Sequence, residues 1–198
     1  MSHTVRIIVA FFVLVVASDR AYAIREFDIK TIESLGRKLY EKSHSSSQSE
    51  QEQRAVRSAK DALKSVDLRG YRFVVLADPK GSGFLVYALA TSSDPDDIVA
   101  GVHYRVTVSA DASRAERVDA LSRTRVVMSK KGGLPGGYTR EGFVLGQIVS
   151  NKPVETFVYL SLLHREPCMI VTPDASVWWI RDGHITKDKK KATDKSPQ

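Results

Sequence analysis

The chain has 198 residues, 42% hydrophobic and 27% charged, an ordinary globular composition with enough material for one core. Its formal charge of +7 divides unevenly: residues 1–23 hold two arginines and one aspartate, which leaves 28 basic against 22 acidic side chains, and residues 186–198 hold five lysines and two aspartates. The body between carries about +3, which excludes any special case for nucleic acid, and the single Cys168 excludes an intramolecular disulfide or a cysteine-built zinc site.

The first segment stands apart from that body. Met1 to Arg6 supplies a basic start, Ile7 to Ala17 is an unbroken apolar run of 11 residues, and Ala21-Tyr22-Ala23 places small residues at the −3 and −1 positions of a cleavage site. This is the pattern of a secretory signal peptide, too short for a spanning helix of ~20 apolar residues. The expected mature chain starts at Ile24, where lipoprotein processing would require a cysteine. No later apolar run approaches spanning length, so the expectation is a soluble periplasmic or extracellular protein without a transmembrane segment. Asn151 is followed by Lys152-Pro153 and is no glycosylation acceptor, which fits a bacterial envelope.

The spacing predicts a helix over Phe27 to Lys42. Asp28 is a good N-cap, Phe27 and Ile32 make a hydrophobic staple, and Ile29, Ile32, Leu35, Leu39 and Tyr40 share one stripe. A polar connector, Ser43 to Gln48, carries a solvated His44. A second helix opens with Ser49 and Glu52 in capping-box spacing and has a narrow stripe of Ala55, Val56, Ala59, Ala62, Leu63 and Val66 before Gly70. Small residues there permit close approach to another element.

Tyr71–Ala77 and Phe84–Ala90 are seven-residue runs rich in aromatic and β-branched side chains, separated by the turn signal Asp78-Pro79-Lys80-Gly81-Ser82-Gly83. A third run, Ile98 to Ala110, alternates Val102, Tyr104, Val106 and Val108 with His103, Arg105, Thr107 and Ser109. One buried and one wet face is the expectation. Arg114–Leu121 fits either a short helix capped by Ser113 and Glu116 or a hairpin strand, and its brevity favours the strand. Thr124–Met128 reads as a short strand, residues 129–142 as a long glycine-rich loop and Phe143–Val149 as another apolar run. Val154–His164 fits a buried helix better by length than a buried strand. Cys168–Val171 and Ser176–Arg181 flank a second hairpin signal at Thr172-Pro173-Asp174-Ala175, and Cys168 itself reads as a small buried hydrophobe.

Residues with chemistry do not fall into a motif. Glycines at 132–137 free backbone amides that can cradle an anion, with Lys131 and Tyr138 beside them, but the Lys-Ser/Thr ending of a phosphate loop is missing. His103, His164 and His184 lie on different segments without zinc spacing. His164 and Arg165 close the proposed third helix, where cations favour the dipole end. Asp94, Asp96 and Asp97 lack the glycine and distal glutamate of a calcium loop. No serine-nucleophile signature is present. Trp178 and Trp179 must point to opposite faces of a strand; Trp178 shares the more apolar side with Ile180, so Trp179 is expected outside as a stacking platform.

These readings combine into one α+β domain over 24–185: an antiparallel sheet of about 5–8 strands in meander and hairpin order, with two N-terminal helices and one later helix on one face. In element order this is similar to the cystatin-like and nuclear-transport-factor-like cones. Residues 186–198 read as a disordered tail with weak contact to anionic surfaces. The function expected is a non-enzymatic binding protein of the bacterial envelope, without cofactor or metal, engaging a protein, peptide or saccharide through Trp179, Trp178, His164, Arg165, His103, Tyr138 and Lys131. The alternative is a small secreted hydrolase with a histidine site near the glycine-rich loop.

Overall fold

The computed structural model describes residues 24–45, 47–131 and 142–188. The expected signal peptide, the glycines at 132–137 with Tyr138, and residues 189–198 of the tail lie outside them. Both N-terminal helices start at their sequence signals. In α1 (Ile29–Ser43) the Asp28 carboxylate accepts the Thr31 amide at 2.9 Å, and Ile32, Leu35, Gly36 and Leu39 form the buried stripe. In α2 (Glu50–Ala62) the capping box of Ser49 and Glu52 is complete, and Ala55, Val56, Ala59 and the following Leu63 are buried. Ala62, expected on that stripe, is exposed.

Strands β1 (Tyr71–Ala77) and β2 (Phe84–Ala90) occupy the two seven-residue runs and pair antiparallel across their hairpin. The expected third strand is instead two. Between β3 (Asp97–Ala100) and β4 (Tyr104–Val108) the chain turns at Gly101 and Val102, both at positive φ, and a Cβ at position 101 would collide with the Thr124 carbonyl. β5 (Ala115–Ala120) settles the ambiguous stretch as strand, while β6 (Val126–Ser129) pairs among the described residues only with β3. β7 (Phe143–Gly146) and β8 (Cys168–Val171) are parallel, joined by α3 (Glu155–His164) as the crossover that parallel strands require. β9 (Val177–Arg181) and β10 (His184–Lys187) complete the described chain, so Thr186 and Lys187 are in a strand and not in a tail.

The α+β class stands, with a different distribution of layers. The strands form a sheet β1-β2-β4-β5, a second sheet β10-β9-β8-β7, and the ribbon β3-β6. The helices cover both faces of the first sheet, because β2 and much of β1 are apolar on both rows and both need cover. Val75, Val86, Ala88, Val106 and Val108 pack against α2; Val74, Leu76, Leu85, Tyr87 and Leu89 face a larger core shared with α1, α3 and the inner side of the second sheet. The likeness to cones with helices on one face is lost with that arrangement. α1 and α3 touch closely at Gly36, where a Cβ would collide with the Val158 side chain. No helix among the described residues is long and apolar enough to cross a membrane.

Candidate functional site

The face of β4 expected to be wet is closed. His103, Arg105 and Thr107 are buried, Arg105 at 0% exposure with the segment 24–27 and the start of α3 against it, and His103 between the ends of β2 and β3. The Arg105 guanidinium donates to Asp119 Oδ2 at 2.8 Å and to Glu155 Oε1 at 2.6 Å, and also to the Arg25 carbonyl. Tyr87 donates its hydroxyl to the same Glu155 oxygen at 2.9 Å. Arg25 gives its backbone N–H to Asp119 and forms a bidentate pair with Asp78 at 2.6 and 2.8 Å. The Phe27 ring lies among three cations, with Arg105, Lys80 and Arg25 at 4.8, 5.1 and 5.2 Å from its centroid. Burial disfavours the Arg105 charge, but Glu155, Tyr87 and Asp119 outweigh that and hold its pKa above the ordinary value. Arg105, Glu155, Asp119, Arg25 and Asp78 each have a counter-charge, and the void beside them measures only about 10 Å³. The cluster is a cross-brace without room for a ligand.

The residues singled out from sequence do not converge. His103 accepts the Ala90 amide at Nδ1, 3.1 Å, while Nε2 meets the Val99 carbonyl at 3.1 Å; burial lowers its pKa to about 4. It is a neutral core residue bonded to backbone on both sides. His164 and Arg165 end α3, with Arg165 in the left-handed conformation and the His164 carbonyl accepting Lys130 Nζ. Lys131 is exposed and paired with Asp94 at 2.5 Å. Trp178 is 8% exposed in the core, its indole N–H without an acceptor among the described residues, and Trp179 is half-buried on the opposite face with Arg181 over its ring at 4.8 Å. Val144, Met169 and Thr186 share that outer row with Trp179.

A site with room lies elsewhere. β1 is an edge of the first sheet, and the connector from α1 to α2 passes around this edge, since the two helices cover opposite faces. Two contacts fasten it there: Arg72 Nη1 donates to the Ser43 carbonyl at 2.8 Å, and Gln48 Nε2 donates to the Phe73 carbonyl at 3.3 Å. Between connector and strand is a groove of about 330 Å³, lined by Lys42, Ser43, His44, Ser47, Gln48, Arg72 and the β1 backbone through Val75 among others. That volume is at the lower end of ligand pockets, ~300–1,000 Å³. Lys42 pairs with Glu52 at 2.7 Å; burial raises the Glu52 pKa, but Lys42 and the Ser49 amide lower it more. His44 is exposed against the Tyr40 ring, at 4.7 Å between centroids. Sequence reading placed this stretch as a mere polar connector, and no local signal marks a strand as an edge.

Comparison with family models, with curated proteins and with solved structures finds no match for this chain. The assignment therefore rests on geometry.

Proposed function

We propose that the chain is an exported, non-enzymatic binding protein of the bacterial envelope, and that the groove beside β1 is its site. The carrying observation is a groove of about 330 Å³ between the edge strand β1 and the α1–α2 connector, lined by hydroxyl, amide and cationic side chains. Export is supported by the sequence pattern of residues 1–23 and by a fold in which Ile24 and Phe27, the start of the expected mature chain, are already core residues. Of the two histidines on which the rival hydrolase reading rests, His103 is enclosed with both ring nitrogens on backbone groups, which leaves that reading to His164.

Ligand-observed NMR with a mixed library of amino acids, short peptides and saccharides tests the reading on the mature protein and on Ser47→Tyr, which fills the groove. The expected result is a bound class lost in Ser47→Tyr at unchanged melting temperature. Binding that persists in the filled variant would move the site elsewhere, with the Trp179 row next in line. Intact mass of the exported protein, starting at Ile24, tests the localisation.

A further inference from the structure

We propose that the groove takes an extended peptide segment of a partner, added as a strand at the β1 edge, with an acidic side chain or terminal carboxylate on Arg72. The inference rests on the groove reading above and names its ligand class. In β1 the even-numbered peptide groups point to β2, as the bonds from Thr91 N–H to the Gly70 carbonyl and from Asp78 N–H to the Gly83 carbonyl bracket. Phe73, Val75 and Ala77 therefore turn their main-chain groups outward, consistent with Gln48 reaching the Phe73 carbonyl. No group among the described residues meets the Phe73 N–H or the N–H and C=O of Val75. Donors and an acceptor repeating every second residue match the main chain of an extended peptide, a repeat that saccharide hydroxyls do not carry.

Charge and shape narrow the occupant. Of the cations on the walls, Lys42 is taken by Glu52, while Arg72 gives one N–H to a carbonyl and faces no carboxylate among the described residues. An acid beside it would complete the guanidinium fork. A second copy of this chain fits poorly, because the connector fastened to β1 at Ser43 and Gln48 stands in the way of another sheet with its helices.

The test is a titration of isotope-labelled mature protein with two random-coil heptapeptide pools, one with a central Asp or Glu and one with a central Lys, and separately with acetate and N-acetylglucosamine. Acidic peptides are expected to protect the Phe73 and Val75 amides from exchange and to give cross-strand contacts. Val75→Pro, which removes an outward N–H, should weaken them about tenfold or more. Arg72→Gln, which removes the charge and keeps a side-chain N–H that can donate to the Ser43 carbonyl, should abolish the preference between the pools and keeps the proposal testable if Val75→Pro fails to fold. If only acetate or the sugar moves these amides, the peptide inference is overturned and the groove reading survives. Shifts that depend on protein concentration alone would make β1 a self-pairing edge and overturn the inference. If no probe moves the groove, both readings fail.

Discussion

The two faces of the β1-β2-β4-β5 sheet close in different ways. Toward α2, Ala55, Val56, Ala59 and Leu63 meet Val75, Val86, Ala88, Val106 and Val108, and contact between small apolar groups is sufficient. Toward α1 and α3, the adjacent residue on β4 is Arg105, and the seal depends on Arg25, Asp78, Tyr87, Asp119 and Glu155, brought from five separate places in the chain. Apolar burial is non-directional and tolerates small shifts. Charged hydrogen bonds in a dry interior do not, so this face fixes the N-terminal segment, the sheet and α3 in one mutual register.

The difference can be broken by substitution. Arg105→Ala leaves two buried carboxylates short of a partner and should cost about 3–5 kcal/mol in urea unfolding. If Arg105→Met is as stable as wild type, packing alone seals this face and the contrast disappears. The same core continues to the second sheet, where Trp178→Ala should cost about 3–5 kcal/mol, while Trp179→Ala, across the strand, should cost well under half of that. Equal losses would show that the outer row is core as well.

Acid sharpens the contrast further. The folded His103 pKa, about 4, lies below the ordinary value of 6.5, so the neutral ring is favoured by folding. Its contribution is complete above about pH 6.5 and is lost as pH falls toward 4, in total roughly 3 kcal/mol. Unfolding curves between pH 7 and 4 should show that slope, and His103→Gln should flatten it. On the opposite face, Ala59→Leu overfills the α2 contact and should cost about 1–3 kcal/mol. The smallest effect is expected from Ser49→Ala, which removes the α2 cap and should lower stability by about 1 kcal/mol, read from the midpoint of thermal melting.

Much of the local structure was legible before any coordinate. Asp28 and Ser49 start their helices, the 71–77 and 84–90 runs are strands, Cys168 is core, and Trp178 and Trp179 part to opposite faces. Capping, turn chemistry and alternation act within a few residues, which is why a single sequence carries them. The fate of a polar face is not local. Arg105, Thr107 and His103 alternate as a wet row should, yet Glu155 from α3 and Arg25 meet Arg105, while Ala90 and Val99 enclose His103.

The same limit applies to sheet order and to the candidate site. Strand runs at 143–146 and 168–171 are visible in the sequence, but their parallel pairing follows from α3 crossing between them. The groove exists because β1 ends the sheet and because α1 and α2 take opposite faces, which forces their connector around that edge. What the sequence determined by itself is where each element begins and which of its sides is apolar, since backbone and neighbouring side chains set both. Which edge stays unpaired and which charges go inside was decided by the tertiary structure, because those outcomes depend on groups far apart in the chain meeting at hydrogen-bonding distance.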